Sequence, residues 1–190
     1  MDNATVVGGL DVRCNAMTEY KVTEYEVNIR HAAPDDLESL TQIYNHYVRH
    51  STATFDTTPF TAEARRTWLN HHAAGSPHQL WIAEQGAAVL GYASSSQYRS
   101  KPAYDRSIET SIYLHPDHLH KGLGQTLYKH LFEHLTPFEL HRAYAGITHP
   151  NPASVALHSA FGFHPVGTFT EAGYKFGGYH TVHWYQKDLG

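Results

Sequence analysis

The chain of 190 residues has little cysteine, no excess of positive charge and no long apolar run. Its single cysteine, Cys14, cannot close an internal disulfide, and a formal net charge of -4 with neutral histidine provides no general basic field. Nucleic acid and acidic membrane surfaces are therefore disfavoured as main partners. Because no segment is suited to a membrane-spanning helix or an ordinary signal peptide, we expect a soluble, cytoplasmic protein.

The length and the hydrophobic content of 41% favour one sizeable core. No internal repeat, low-complexity segment or linker divides the chain. Residues 1–24 have no clear periodicity and include Met17 as a second possible start. We therefore predict a leader or flexible tail over residues 1–24 and one domain over residues 25–190.

The hydrophobic periodicity predicts an α/β (α+β) fold with a mixed sheet flanked by helices. The predicted order is a strand near 25–29, a helix from Pro34, a helix capped by Thr61, a hairpin of 80–84 and 88–94, a strand at 107–114, a helix from Gln125, a strand at 143–147, a helix from Asn151 and Pro152 closed by Gly162, and a strand at 181–186.

The strand at 107–114 leads through a basic, glycine-containing loop into an amphipathic helix. Gly122 and Gly124 have no side chain that would keep a ligand from the backbone, and free amides at a helix start face an anion. His120 and Lys121 add positive charge. The loop predicts a bound phosphate, although a Gly-x-Gly turn alone is equally often structural. Dinucleotide and nucleotide-triphosphate loops are disfavoured, because the third glycine and a Lys-Ser or Lys-Thr pair are missing.

Further motifs follow in one order along the chain. They are the strand 107–114, the loop and helix 120–128, the segment 151–163 with Asn151 and His158, and shorter matches at Ser51-Thr52 with Phe55, at 103–105 and at 172–178. From about Val27 to Lys187 the chain resembles the GCN5-related N-acetyltransferases, and within them the phosphinothricin and methionine sulfoximine acetyltransferases. The resemblance implies acetyl transfer from acetyl-CoA to an amine, on a mostly antiparallel sheet splayed open for the pantetheine arm.

The resemblance also implies the cofactor contacts. Backbone groups along the pantetheine would be those of Ile112, Tyr113 and Leu114. Those around the pyrophosphate would be those of His120, Lys121, Gly122, Leu123, Gly124 and Gln125, and Asn151 would touch the cofactor arm. One departure is Leu119, where the family usually has Arg or Gln. Because main-chain amides supply most of the binding, we expect binding to persist.

Aminolysis of a thioester requires a base for the amine and stabilisation of the leaving thiolate. Strand parity places Glu109 on one face with Ser111 and Tyr113, opposite an apolar face. A polar sheet face or a salt bridge would also explain a carboxylate there. The resemblance assigns proton removal to Glu109, directly or through water.

His158 follows Asn151 by two helical turns, so both are expected on nearly the same helix face. Many relatives have a tyrosine in this place that protonates the thiolate, whereas the phosphinothricin enzymes resemble this chain in having histidine. The predicted role is proton donor or second base. A packed structural histidine is the alternative, because the chain has 17 histidines. Tyr128 is assigned to the core, without a catalytic part.

Cations and aromatic walls near the amine are expected for an acceptor with an anionic side group. The candidates are Arg99, Lys101 and Tyr104 and, by resemblance, Phe55 and Tyr174, the last with Lys175 on a loop between strands or at a dimer edge. A solvated loop explains the two cations equally well. A homodimer is implied by the resemblance alone.

Direct attack in a ternary complex is expected, because Cys14 is too remote in sequence to carry the acetyl group. His115, His118 and His120 match no zinc motif, and no paired cysteines assist them, so we expect no metal. Two alternatives remain open at this point. One is acetylation of a protein N terminus or lysine, and the other is a non-catalytic acyl-CoA sensor, against which the presence of both Glu109 and His158 argues.

Overall fold

The computed structural model describes residues 26–73, 75–119 and 122–190. The predicted tail with Cys14 therefore lies outside the described residues, and the division into tail and domain stays a prediction. The strands are β1 (Asn28–His31), β2 (Leu80–Gln85), β3 (Ala88–Gln97), β4 (Ser107–Leu114), β5 (Arg142–Thr148), β6 (His164–Lys175) and β7 (Gly178–Asp188). The α-helices are α1 (Leu37–His50), α2 (Ala62–Asn70), α3 (Leu123–Leu135) and α4 (Pro152–Ala160).

The strands form one sheet in the order β1-β2-β3-β4-β5-β7-β6. All neighbouring pairs are antiparallel except β4 and β5, which are parallel. This confirms the predicted mixed, mostly antiparallel sheet flanked by helices. Strand β6 was not predicted, and Tyr174 and Lys175 are its last residues rather than part of a loop between strands. The turn to β7 follows at Phe176 and Gly177.

The sheet has a hydrophobic cluster on each face. Helices α3 and α4 cover one face, where Leu127, Tyr128 and Leu131 of α3 are fully buried, as predicted for the core. Helices α1 and α2 pack on the other face, against Ile82 of β2 and Tyr92 of β3. Along β4, alternate side chains enter the two clusters, which confirms the predicted strand parity.

Strands β4 and β5 separate soon after they begin to pair. Their register runs from Ser107 opposite Arg142 to Glu109 opposite Tyr144. Beyond Glu109, β4 pairs only with β3 and β5 only with β7. The sheet is therefore splayed, as the resemblance implied, and the gap opens toward the starts of α3 and α4.

The hairpin of β6 and β7 fixes the segment between α1 and α2. The buried ammonium of Lys175 donates to the carbonyl oxygens of Ser51 at 2.7 Å and of Thr54 at 2.7 Å. The ring of Phe55 occupies the space that a Cβ on Gly173 would need. Side chains from distant parts of the chain thus hold this segment beside the gap. No helix within the described ranges is long and apolar enough to cross a membrane.

Candidate active site

A cavity of about 760 Å³ fills the gap between β4 and β5. Its wall combines these strands with the starts of α3 and α4 and with the end of α1. The predicted cofactor residues in this wall are Ile112, Tyr113, Leu114, Gly122, Leu123, Gly124, Gln125 and Asn151. His120 and Lys121 lie outside the described residues. The structure therefore brings every described residue of the predicted cofactor set to one cavity.

The start of α3 offers free amides to this cavity. Gly122 has φ +77° and caps the helix, a conformation that favours glycine. The amides of Gln125 and Thr126 donate to the carbonyl oxygen of Gly122 at 3.0 and 3.2 Å. Those of Leu123 and Gly124 donate to no acceptor in the part of the chain that the structure describes. Such amides, at the positive end of a helix dipole, suit an anion.

Gly124 has neighbours that the sequence did not indicate. A Cβ at this position would lie 3.3 Å from a methyl group of Leu157 and 3.6 Å from one of Ile112. The glycine therefore allows close packing of α3 against α4 and β4. This packing is a second reason for a glycine at position 124, besides the predicted approach of a ligand to the backbone. Both neighbouring side chains also line the cavity.

Glu109 lies where β4 and β5 separate. It is half-buried, between Ser96 of β3 and Tyr144 of β5. Among residues 26–73, 75–119 and 122–190, its carboxylate has neither a hydrogen bond nor an ion pair, and burial raises its pKa. Glu109 is not in the cavity wall, whereas Thr110 and Ser111, which follow it, are. An unpaired carboxylate with a raised pKa suits a general base.

His158 lies in the cavity wall and is 3% exposed. Its Nδ1 lies 2.8 Å from the carbonyl oxygen of Ser154, and its Nε2 lies 2.9 Å from the hydroxyl of Tyr128. Because a carbonyl only accepts, we assign the proton to Nδ1, so that Nε2 accepts from Tyr128. Burial lowers the pKa of His158, which favours the neutral ring. Both ring nitrogens thus have protein partners.

Tyr128 is fully buried, as predicted for a core residue, but its hydroxyl is also the partner of His158. Thirty residues separate the two positions in the chain, so periodicity within α3 or α4 could not indicate the contact. Asn151 caps the helix predicted to start from Asn151 and Pro152, because its side-chain oxygen accepts from the amide of Ser154 at 3.1 Å.

The predicted acceptor residues lie outside the cavity wall. The guanidinium of Arg99 is 5.0 Å from the ring centroid of Tyr98 and 5.7 Å from that of Tyr104, and Lys101 is exposed nearby. These side chains form a surface group between β3 and β4. Phe55 and Tyr174 lie elsewhere, with Phe55 against Gly173 and Tyr174 exposed beside Tyr179. The structure does not gather the five candidates at one place.

A smaller pocket of about 200 Å³ adjoins the cavity and shares Ser111 and Tyr113 with it. Its other wall residues are Tyr44, Asp56, Phe60, Ala64, Arg65, Trp68 and Tyr92. None of these was predicted as a site residue. The polar pattern of α2 resembles that of any solvated helix, so the sequence had no signal that Arg65 turns inward.

Within the ranges that the structure describes, no group of three or more His, Cys, Asp or Glu side chains is placed to hold a metal ion. Of the three histidines considered for zinc, His115 and His118 have ring centroids 5.5 Å apart. His120 lies outside the described residues.

The geometry defines a group-transfer enzyme whose donor is long and carries an anionic group. The gap between β4 and β5 has room for an extended arm, the free amides at the start of α3 suit an anion, and Glu109, unpaired among the described residues, lies where the two strands separate. The family model described as an acetyltransferase (GNAT) domain matches residues 29–184. The chain belongs to this family, and it is an acetyl-CoA-dependent N-acetyltransferase.

Similar proteins include both enzymes of the resemblance. The chain is 50% identical over 166 residues to a phosphinothricin N-acetyltransferase of Streptomyces coelicolor, covering 86% of this chain and 97% of the relative. It is 34% identical over 152 residues to an L-methionine sulfoximine/L-methionine sulfone acetyltransferase of Salmonella typhimurium, covering 80% and 87%.

A solved structure of a phosphinothricin acetyltransferase from Sinorhizobium meliloti, in complex with acetyl-CoA, superposes with a TM-score of 0.80. Its sequence is 32% identical to this chain, and the match covers 86% of this chain and 89% of that protein. The splayed sheet and the use of acetyl-CoA as co-substrate, both expected from the resemblance, are confirmed.

Proposed function

We propose that this enzyme acetylates the amine of a small amino acid or an analogue such as phosphinothricin or methionine sulfoximine. The names of the relatives support this class of acceptor. The observation that carries the proposal is Glu109, whose carboxylate has no hydrogen bond or ion pair within the described residues and which directly precedes the cavity-wall residues Thr110 and Ser111 on β4. A base in that position can act on an amine that approaches the thioester.

The cofactor would lie along the cavity. Its pantetheine arm would follow the main chain of Ile112, Tyr113 and Leu114, because β4 has no strand partner on that side there. Its pyrophosphate would accept from the amides at the start of α3, with charge added by His120 and Lys121. Asn151 would flank the arm from the start of α4.

Transfer would proceed by direct attack in a ternary complex. Glu109 takes a proton from the ammonium, directly or through a water, and the amine nitrogen attacks the thioester carbonyl. The N–C bond forms and the C–S bond breaks, while the second proton of the nitrogen passes to the departing sulfur, directly or through water, so that the amide is neutral and coenzyme A leaves as the thiol. Nδ1 of His158 donates to the carbonyl oxygen of Ser154 and Nε2 accepts from the hydroxyl of Tyr128, so its role as proton donor or second base stays a prediction.

A cytoplasmic homodimer is part of the proposal. Strand β6 lies at the border of the sheet and exposes several large apolar side chains together with β7 and their turn. They are Val166, Phe169, Tyr174, Phe176 and Tyr179. A second copy of the chain would cover this surface. Single exposed apolar residues need no explanation, whereas a group of five on one hairpin is typical of an interaction surface. The acceptor candidates Phe55 and Tyr174 would then lie near the junction of the two copies.

The test is release of free thiol from acetyl-CoA with a panel of acceptors. The panel contains L-methionine sulfoximine, phosphinothricin, the N-acetyl form of each as matched controls, and a peptide with a free N terminus and a lysine. We expect release with the two free amines and none with their N-acetyl forms. Release with the peptide alone would favour the protein acetyltransferase. Absence of amine-dependent release across the panel would overturn the proposal.

A further inference from the structure

Arg65 of α2 is a buried cation that has no anionic partner among the described residues. It is 6% exposed, and its guanidinium carbon lies 4.4 Å from the ring centroid of Tyr44 and 3.9 Å from that of Trp68. Its Nη1 donates to the carbonyl oxygen of Leu40 at 3.0 Å. No carboxylate forms an ion pair with Arg65 in the described part of the chain. Buried charges are normally paired, so the site favours an external anion.

The hydroxyl of Tyr92 is a second polar group in need of a partner. Tyr92 is 1% exposed, and its hydroxyl has no hydrogen-bond partner within residues 26–73, 75–119 and 122–190. The charge of Arg65 is close enough to this hydroxyl to oppose the rise in pKa that burial causes. Both groups line the pocket of about 200 Å³ under α1 and α2. One carboxylate has two oxygens and can accept from both donors.

The pocket is placed to hold the acceptor. It shares Ser111 and Tyr113 with the cofactor cavity, and strand parity puts both residues on the face of β4 that Glu109 occupies. In an α-amino acid, the amine and the carboxylate share one carbon. When the carboxylate of the acceptor is bound in the pocket, the amine therefore stays close to it, beside the wall of Ser111 and Tyr113 that the pocket shares with the cofactor cavity.

Asp56 faces the same pocket, and its carboxylate accepts from the hydroxyl of Tyr44. The pocket thus presents one cation and one anion, which matches the two charges of a zwitterion. Rings of Tyr44, Phe60 and Trp68 provide apolar walls for a short side chain. A protein N terminus or a lysine has no free carboxylate beside its amine and would leave Arg65 unpaired.

We propose that Arg65 and the Tyr92 hydroxyl bind the α-carboxylate of the acceptor and so select free amino acids. The inference rests on the proposed function, since it names the part of the acceptor that this pocket recognises. Arg65 and Tyr92 determine specificity and take no proton in the reaction.

The first test compares two adjacent arginines of α2. Arg66 is exposed and pairs with Glu63 at 2.7 Å, so Arg66→Lys is a matched control for Arg65→Lys. The probes are L-methionine sulfoximine and its α-carboxamide, which keeps the amine and lacks the negative charge. We expect Arg65→Lys to reduce kcat/KM for the acid at least tenfold, since an ammonium cannot replace a planar guanidinium that donates to the Leu40 carbonyl and to the carboxylate together, and to change the amide much less. Arg66→Lys should leave both values unchanged.

The second test removes only the Tyr92 hydroxyl. Because that hydroxyl makes no hydrogen bond of normal geometry within the described residues and has only the nearby guanidinium of Arg65 beside it, Tyr92→Phe should fold with little change in thermal stability. We expect KM for L-methionine sulfoximine to rise about tenfold, with no rise for the amide and no change in KM for acetyl-CoA. Calorimetry with the same probe on enzyme saturated with coenzyme A should show the same loss of affinity without turnover.

The outcomes separate this inference from the proposed function. If the wild-type enzyme turns over L-methionine sulfoximine and Tyr92→Phe preserves its preference for the acid over the amide, the pocket assignment is wrong and the function stands. If Arg65→Lys unfolds, Tyr92→Phe still decides the matter. If the wild-type enzyme acetylates no amine of the panel, the proposed function itself fails.

Discussion

The two sides of the reaction site are built in different ways. On the cofactor side, the cavity wall consists of strand edges, the starts of α3 and α4 and the end of α1, and the groups predicted to bind the cofactor are mainly main-chain amides and carbonyls. On the proposed acceptor side, the segment after α1, which also borders the cavity at Ser51, is held by side chains from far along the sequence, such as Lys175 on the carbonyl oxygens of Ser51 and Thr54. Main-chain sites tolerate many substitutions, whereas side-chain sites depend on each residue.

Glu109 lies where the two sides meet, and its removal should have the largest effect. Glu109→Gln keeps the shape of the side chain but cannot take a proton from the amine. We expect kcat to fall about 100-fold to 10,000-fold, the usual range for loss of a general base, with KM for acetyl-CoA nearly unchanged. Steady-state thiol release at saturating acceptor measures this effect. A variant that kept more than half of the wild-type kcat would exclude Glu109 as the base.

Stability is the control for this variant. Because burial raises the pKa of Glu109, the folded protein binds its proton more tightly than the unfolded chain does. Stability from this group is therefore present at low pH and decreases as the pH rises between the ordinary and the raised pKa. The neutral glutamine avoids this cost, so Glu109→Gln should unfold at the same or a higher temperature at neutral pH. In the wild-type enzyme, kcat/KM should fall as the pH falls through the raised pKa.

Alanine substitutions at two glycines of similar backbone conformation test the cofactor side separately from the hairpin of β6 and β7. Gly122 at the start of α3 has φ +77°, and Gly177 in the hairpin turn has φ +78°. Alanine at either position costs about 1–2 kcal/mol of backbone strain, and its Cβ would meet no atom within 4 Å. We expect similar losses of stability in both variants, but a rise in KM for acetyl-CoA, of about tenfold or less, only for Gly122→Ala. If Gly122→Ala and Gly177→Ala had equal values of KM for acetyl-CoA, the start of α3 would not bind the cofactor.

The smallest effect on activity is expected on the acceptor side, from Lys175→Met. The variant loses the bonds to Ser51 and Thr54, each 2.7 Å long, and should lower the free energy of unfolding by about 1–3 kcal/mol. The freed segment should raise KM for the acceptor more than KM for acetyl-CoA. Lys129→Met is the control, because Lys129 is exposed on α3. If KM for acetyl-CoA rose more than that for the acceptor, the division into two sides would be wrong.

The cofactor side could be predicted from the sequence because its signals are local. Glycines in a helix-start pattern, an alternating strand and an Asn-Pro helix cap each identify a piece of backbone within a few residues. The structure gathers these pieces in one wall. The parity of β4 also followed from the sequence, and with it the face on which Glu109 lies.

The acceptor side could not be predicted in the same way. Strand β6 is exposed over most of its length, so it lacks the alternation that identifies a half-buried strand. Arg65 lies in a polar run of α2, and only packing against Tyr44 and Trp68 reveals that it is buried. The cofactor side has one such contact too, between Tyr128 and His158, which joins two helices and is not encoded by sequence spacing within either of them.

The separation of β4 and β5 also bears on the solubility of the protein. Strand edges without partners attract other extended chains and are common starting points of aggregation. Here the two bare edges face each other inside the sheet, joined at Glu109 and Tyr144 and bordered by the starts of α3 and α4. Edges placed in this way are easier to reach for a narrow extended ligand than for a strand of a neighbouring molecule, which carries side chains on both faces. The same arrangement that exposes backbone to one ligand thus conceals it from unwanted chains.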